Sequence, residues 1–217
     1  MLVLGFDTAA GAVSAALHDG KGIVASAFVV DARRHAELLT PMIAKVMADA
    51  GAARGDLSAV AVGVGPGPYT GLRVGVMTAR VLGSVLTIPV YGVCSLDVIA
   101  AAVATEDSEF LVATDARRRE VYWARYEAGR RLQGPAVGRA DSIPGAAELP
   151  VAGAGAQLYP DAFAAVIGPA HPDARTLCEI VAGPRHEGAP PLLPPDPLYL
   201  RRPDAREPGP PKRVTPP

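Results

Sequence analysis

A glycine- and proline-rich segment is the first candidate for chemistry, and it reads Gly65-Pro66-Gly67-Pro68-Tyr69-Thr70-Gly71. It lacks the lysine that follows the last glycine of a P-loop, and its spacing is not that of a dinucleotide-binding GxGxxG motif. Its two prolines also remove two backbone N–H donors from the loop. The residues favour a rigid turn that aims the next helix. The alternative is a residual nucleotide or anion contact, with Asp7, Thr8, Gly65, Gly67 and Thr70 as its candidates.

Two aspartates, Asp7 and Asp115, end predicted strands. Such a pair could hold a metal-bound phosphate at the mouth of a cleft. An aspartate in this position can equally accept a hydrogen bond from the turn that follows it. Turn capping is the favoured interpretation.

Histidines and cysteines show no spacing typical of a metal site. The four histidines are scattered without an HxxxH or HxxH pair, and the two cysteines form no CxxC pair and no disulfide framework. Neither Cys94 nor Ser95 lies in a nucleophile elbow. The sequence therefore predicts no catalytic residue and no metal ligand.

Net charge and arginine placement limit the nucleic-acid interpretations. A formal net charge of −1 argues against a protein that holds nucleic acid by bulk charge alone. The arginines Arg117 to Arg119 could contact RNA phosphates. They fall at a predicted hairpin turn, where a solvated loop is the default expectation.

The elements that position these residues follow from hydrophobic periodicity. Short apolar runs predict strands over 2–7, 13–18, 23–30, 57–64 and 89–93. Helical spacing predicts helices over 33–50 and 72–86, with a kink or a late start of the first helix at Pro41, and a short helix from Ser95. The order is strand, strand, strand, helix, strand, helix, strand.

The pattern restarts after residue 104. Residues 110–115 repeat 2–7, residues 121–126 repeat 13–18, and residues 151–159 repeat 61–69 in the same order. Three ordered matches indicate an internal duplication. They predict an α/β fold with an N-terminal lobe over 1–104 and a shorter C-terminal lobe over 105–200. A Pro-rich tail follows over 201–217, and a cleft separates the lobes.

Small residues recur every four positions on both main helices. Gly71, Gly75, Ala79 and Gly83 form one stripe, and Ala36, Thr40, Ala44 and Ala48 form the other. Glycine inside a helix costs about 1 kcal/mol relative to alanine, so such a stripe usually allows close backbone approach. The rest of the second helix is also apolar, which favours a covering partner over a purely intramolecular core.

The predicted partner interface lies on these two helices. Its candidate residues are His35, Leu38, Leu39, Met42, Ile43, Val46, Gly71, Arg73, Gly75, Met77, Ala79, Arg80 and Gly83. On this interpretation, Gly75→Leu or Ala79→Glu should abolish pairing and leave the fold intact. No basic leader precedes Asp7, and Arg73, Arg80 and Asp97 interrupt the most apolar region. A soluble, cytoplasmic protein is expected.

Several motifs together resemble the TsaB (YeaZ) family. They are Gly5-Phe6-Asp7-Thr8, Arg34-His35-Ala36-Glu37-Leu38-Leu39, Gly65 to Gly75 (similar to GPGSFTGLRIG), Asp115-Ala116-Arg117-Arg118, Val121-Tyr122 and Pro197-Leu198-Tyr199-Leu200-Arg201. Pro68 and Tyr69 depart from the usual serine and phenylalanine. Members of this family are dimerisation subunits of the bacterial machinery for threonylcarbamoyladenosine at position 37 of tRNAs.

The resemblance implies an actin-like ATPase fold (ASKHA, ribonuclease H-like) with two duplicated lobes, each with a mixed sheet and flanking helices. It implies a non-catalytic subunit that pairs with a TsaD-like transferase, with a TsaE-like ATPase as a further partner and tRNA bound through the complex. A homodimer is expected when the chain is alone. TsaD-like proteins carry a metal-binding HxxxH where Ser95 and Ile99 stand here. ATP and metal are therefore expected on partner subunits, with no cofactor on this one.

Three other functions remain open at this point. The first is an ATP-dependent small-molecule kinase of the same fold superfamily, which would need an acidic metal site and nucleotide affinity. The second is a peptidase, which would need a nucleophile or metal constellation. The third is a self-associating scaffold, because an unpaired apolar helix face favours homodimers.

Overall fold

The first of two five-stranded mixed sheets is built from the N-terminal half. The computed structural model describes residues 1–103, 108–184 and 188–201. The strands of this sheet are β1 (Val3–Asp7), β2 (Ala12–His18), β3 (Ile23–Val30), β4 (Ala59–Gly63) and β5 (Val90–Val93). Their order is β3-β2-β1-β4-β5. Neighbours among β1, β2 and β3 are antiparallel, whereas β4 pairs parallel with both β1 and β5.

The second sheet repeats this arrangement strand for strand. It contains β6 (Glu109–Asp115), β7 (Val121–Glu127), β8 (Arg130–Gly138), β9 (Pro150–Ala152) and β10 (Ala165–Val166) in the order β10-β9-β6-β7-β8. The antiparallel and parallel pairings are also the same. The duplicated α/β fold predicted from the sequence, with a mixed sheet and flanking helices in each half, is confirmed.

In the described parts of the chain, five helices flank the sheets: α1 (His35–Asp49), α2 (Tyr69–Leu86), α3 (Ser95–Ala101), α4 (Ala154–Leu158) and α5 (Ala174–Ala182). Helix α1 runs continuously through Pro41. Helix α2 begins at Tyr69, three residues before its predicted start at Leu72, because Pro68 ends the loop in an extended conformation. In the second lobe a 3-10 turn over Ala140–Ser142 occupies the place of α1.

Helices α1 and α2 cover one face of the first sheet. Leu39, Val46 and Leu72 are fully buried there against strand residues such as Phe6 and Val62. Each helix therefore presents one face to the core and the opposite face outward, as an amphipathic surface helix does.

The other face of the first sheet is covered by α5, which the sequence places in the C-terminal lobe. Leu177 and Cys178 of α5 are fully buried against Val3 and Ala16. Farther along the chain, Leu193 forms two backbone hydrogen bonds with Gly92 of β5. The predicted C-terminal lobe therefore does not extend to residue 200 as one unit, since its last third packs on the N-terminal sheet. Of the predicted tail, only Arg201 lies within the described residues.

Among the described residues, no helix combines the length and the apolarity that crossing a membrane requires.

Candidate partner interface and interlobe loops

Thr8 fixes the start of α2 against strand β1. Its hydroxyl donates a hydrogen bond to the Gly71 carbonyl (2.7 Å) and accepts one from the Gly75 N–H (3.0 Å). A Cβ atom at residue 75 would lie 2.6 Å from Thr8 Oγ1. Glycine is therefore required for this strand and helix to approach so closely. The Thr8 hydroxyl is used within the chain and does not face a ligand.

Asp7 is buried, with 1% exposure, and holds the loop that follows β1. Its Oδ1 atom accepts from the Ala9 N–H (2.7 Å), and its Oδ2 atom accepts from the Ser95 hydroxyl (2.6 Å). Burial raises the pKa of the Asp7 carboxyl, and the hydrogen bonds from Ser95 and Ala9 oppose that rise. This geometry is the turn capping favoured from the sequence.

Hydrogen bonds within the chain also hold the glycine- and proline-rich loop in place. The Ser95 N–H donates to the Gly65 carbonyl (2.8 Å), and the Gly65 N–H donates to Ser95 Oγ (3.2 Å). Gly65 is left-handed at φ 91°, and a Cβ at Gly67 would clash with the Ala9 carbonyl. The anion contact was the alternative to a rigid turn, and the burial of its candidates favours the turn. Only Thr70 is exposed among Asp7, Thr8, Gly65, Gly67 and Thr70.

The predicted interface also needs revision, because the small-residue stripe of α2 faces inward. A Cβ at Gly71 would lie 2.7 Å from the Thr8 carbonyl, and a Cβ at Gly83 would clash with Val90. The sheet, and not a second protein, makes the close approach. The candidates buried within the chain are His35, Leu39, Met42, Val46, Gly71, Gly75, Ala79 and Gly83. Their side chains pack mainly within the chain.

The remaining candidates reach the surface. Arg73, Met77 and Arg80 are exposed, and Leu38 and Ile43 are partly buried. Met77 lies in a groove of about 900 Å³ between the outer faces of α1 and α2. This groove, which we call the α1/α2 groove, is lined by Thr40, Ile43, Ala44, Met47, Ala48, Ala52, Ala53, Arg54, Met77, Thr78, Val81 and Leu82.

The candidate set omitted the most exposed apolar residues of this surface. Val81 is 60% exposed, and Val85, one turn further along α2, is 74% exposed. The signal that could have found them is the apolar face of α2 opposite its glycines. The small residues Thr40, Ala44 and Ala48 of α1 do point outward, so the two stripes have opposite roles.

At the second lobe, Asp115 caps its turn as Asp7 does. Its Oδ1 atom accepts from the Arg117 N–H (2.7 Å), and the Arg117 guanidinium lies 3.4 Å from Oδ2. Arg117, Arg118 and Arg119 are exposed. They form the predicted turn between β6 and β7.

The side chains of Cys94, Cys178 and Ser95 are not activated as nucleophiles. Burial raises the pKa of the Cys94 thiol and of the Cys178 thiol to about 12 each, so neither is a thiolate at neutral pH. The Ser95 hydroxyl donates to buried Asp7. Within residues 1–103, 108–184 and 188–201, no three His, Cys, Asp or Glu side chains gather as a metal ion would require.

Comparisons with known proteins agree with this fold and these motifs. The family model described as TsaD, tRNA N6-adenosine threonylcarbamoyltransferase, matches residues 21–159. An uncharacterized protein of Mycobacterium tuberculosis is 46% identical over 208 residues, covering 94% of this chain and 93% of that protein. The tRNA threonylcarbamoyladenosine biosynthesis protein TsaB of Escherichia coli is 36% identical over 129 residues, covering 58% of this chain and 55% of that protein.

A solved structure extends the agreement to three dimensions. A crystal structure of an uncharacterized Pseudomonas aeruginosa protein, described as similar to peptidase YeaZ, matches with a TM-score of 0.76 and 28% identity. The match covers 92% of this chain and 99% of that one. The family model spans more than half of the chain. The chain therefore belongs to the threonylcarbamoyltransferase family and, within it, to the TsaB (YeaZ) proteins.

Proposed function

We propose that this chain is a non-catalytic subunit of the assembly that makes threonylcarbamoyladenosine at position 37 of tRNA. In this proposal it pairs with a TsaD-like transferase through the α1/α2 groove and activates it. The single observation that carries the pairing is the exposed apolar surface of two neighbouring helices. A TsaE-like ATPase is a further partner, tRNA is bound through the whole assembly, and the protein works in the cytoplasm.

The composition of the groove supports a helical partner. Val81 in the groove and Val85, one turn further along α2, expose apolar side chains that single soluble domains usually cover. Ala44 and Ala48 on the facing side of α1 leave room for another backbone to approach. Arg54 lines the groove, and Arg73 is exposed elsewhere on α2. We therefore expect the partner to contribute an apolar helix pair with an acidic rim. The same surface would hold a second copy of the chain when the transferase is absent.

A non-catalytic role is supported by how the chain uses its reactive groups. Asp7 and Thr8 make hydrogen bonds within the chain, and the thiols are buried. Ser95 and Ile99, at the positions of the family's metal-binding histidines, are buried in α3. A kinase or a peptidase would need some of these groups free. We accordingly assign ATP and metal to the partner subunits.

The test is co-expression with the TsaD-like protein of the same organism, followed by size-exclusion chromatography with light scattering. We expect a one-to-one complex. Val81→Glu/Val85→Glu should weaken it about 30-fold or more, because each carboxylate would be buried against an apolar partner at ~1–3 kcal/mol. Both residues are exposed, so the variant should fold normally.

Val24→Glu is the matched control, since Val24 is 45% exposed on β3, away from the groove. It should leave the complex unchanged. A complex that tolerates the double variant would refute the groove as the interface. If no complex forms but the double variant abolishes a homodimer, the groove joins two copies of this chain and the transferase pairing is wrong.

A further inference from the structure

A second cavity lies where the two lobes meet, and its lining is rich in cationic and phenolic side chains. The cavity measures about 190 Å³ and is bounded by Arg117, Arg118 and Arg201 together with Tyr69, Tyr122 and Tyr199. None of its described lining residues is acidic. Three guanidinium groups and three phenol hydroxyls make a wall of hydrogen-bond donors, which suits an anion.

The arginine turn has an unusual backbone. Arg117, Arg118 and Arg119 are all left-handed, with φ values of 62°, 55° and 62°. For residues other than glycine, this conformation costs roughly 1 kcal/mol or more each, and runs of it are rare. The turn is closed by hydrogen bonds from the Ala116 N–H to the Glu120 carbonyl and from the Glu120 N–H to the Arg117 carbonyl, each 3.0 Å long. Such conformations concentrate at functional sites.

Described contacts hold two of the three guanidinium groups, and that of Arg117 lies 3.4 Å from Asp115 Oδ2. Arg201 forms an ion pair with Glu120 and donates to the Ala116 carbonyl (3.0 Å). Its charge is thereby fixed beside the turn. The N-terminus of α2 opens at the same cavity through Pro68 and Tyr69, with no acidic residue in its first turn. The helix dipole therefore adds positive potential there.

We propose that this interlobe cavity binds a phosphate group of an RNA backbone. Arginine forks match the geometry of phosphate oxygens, and arginine is the usual residue for this contact. Typical pockets for whole small-molecule ligands measure about 300–1,000 Å³, so this cavity fits one phosphate better than a nucleotide. Tyr69 and Tyr199, stacked at 5.2 Å, are 46% and 42% exposed beside it and offer a surface for an adjoining base.

The choice of RNA as the source of the phosphate rests on the proposed function, whereas the phosphate site itself does not. A free nucleotide or inorganic phosphate has the same chemistry. The experiment therefore needs probes from both sources.

The test is fluorescence anisotropy of a labelled anticodon stem-loop RNA with the full chain, over a range of salt concentrations. AMP and inorganic phosphate are used as competitors. Arg117→Gly/Arg118→Gly removes two guanidinium groups and relieves the left-handed strain, so the turn should persist. We expect the RNA affinity to fall about tenfold or more. The slope of log K against log salt should become shallower by about 0.7–0.9, the value for one lost phosphate contact.

The matched control is Arg139→Gly/Arg175→Gly, which removes the same charge from exposed positions outside the cavity. It should change the affinity less than twofold. Equal losses in both double variants would refute the site, and no RNA binding by the parent chain would refute RNA as its ligand. If AMP or phosphate binds as tightly as RNA and only the turn variant loses it, the RNA source is wrong.

Pairing with the transferase is measured separately, so the two proposals fail independently. A chain that pairs but does not bind RNA contradicts only this inference. A chain that binds RNA through the turn but does not pair contradicts only the proposed function.

Discussion

At the scale of single residues, the buried carboxyl of Asp7 links the N-terminal strand to α3. It accepts from the Ala9 N–H and from the Ser95 hydroxyl, and burial raises its pKa. A carboxyl whose pKa is higher in the folded chain binds protons more tightly there than in the unfolded chain. Stability is therefore lost as pH rises from the unfolded pKa, near 3.9, through the folded one.

Asp7→Asn removes that loss, because the amide cannot ionise and its oxygen can still accept from Ala9. We expect the difference in unfolding free energy, variant minus parent, to shift in favour of the variant as pH rises from about 3 to 7. The shift is about 1.4 kcal/mol per unit of pKa elevation. Urea unfolding monitored by the fluorescence of Trp123, the only tryptophan, measures it at each pH.

Asp19→Asn is the control of opposite sign. Hydrogen bonds from the Lys21 and Gly22 N–H groups lower the pKa of the Asp19 carboxyl, so its contribution to stability is present above the unfolded pKa. The unfolding free energy of Asp19→Asn should therefore fall relative to that of the parent as pH rises. A flat or falling difference for Asp7→Asn would contradict the buried-carboxyl account.

At the scale of elements, the small-residue stripe of α2 faces the sheet, so substitutions in it should affect the stability of the fold. Gly75→Ala adds a methyl group 2.6 Å from Thr8 Oγ1, where the Gly75 N–H bonds that oxygen. The clash should destabilise the chain by about 1–3 kcal/mol, despite the ~1 kcal/mol that alanine gains in helix propensity. Gly75→Leu should lose more and misfold, contrary to the expectation that it only breaks pairing.

Ser84→Ala is the matched control on α2, because Ser84 is exposed and the change improves helix propensity without a close contact. Thermal unfolding followed by circular dichroism compares the two. The inward stripe would be contradicted if Gly75→Ala melted at or above the temperature of the parent.

The existence of most strands and helices and their succession along the chain were predictable from the sequence, because apolar periodicity and an ordered repeat report them directly. The sequence did not allow us to predict whether the smooth face of each helix points inward or outward. Gly75 of α2 and Ala44 of α1 belong to stripes with the same four-residue spacing, yet one faces the sheet and the other faces the α1/α2 groove. Spacing records that a face is smooth, and only long-range packing decides what lies against it. For the same reason, the packing of α5 on β1 could not be predicted from the sequence.

At the scale of the whole molecule, one buried cluster joins the lobes. Asp97 of α3, whose side chain is 3% exposed, accepts from the Tyr126 hydroxyl of β7 (2.7 Å) and lies 3.2 Å from the Arg131 guanidinium of β8. Stacked Phe110 and Tyr126 rings continue this contact into the second sheet. Because the cluster joins α3, which follows the strands of the first sheet along the chain, to two strands of the second sheet, it should make the lobes unfold together.

Asp97→Ala would leave the Arg131 charge and the Tyr126 hydroxyl without their acceptor in a buried place. We expect a loss of about 3 kcal/mol, since removing one partner of a buried pair strands the other. Two probes distinguish loss of stability from loss of coupling: Trp123 fluorescence reports the second sheet, and far-ultraviolet circular dichroism also reports α1 and α2. Their transitions should coincide in the parent and separate in Asp97→Ala.

Asp196→Ala is the control, because it breaks the exposed pair with Arg80. It should cost less than ~1 kcal/mol and keep the two transitions coincident. Coincident transitions in Asp97→Ala would mean that the α5 packing, and not this cluster, couples the lobes.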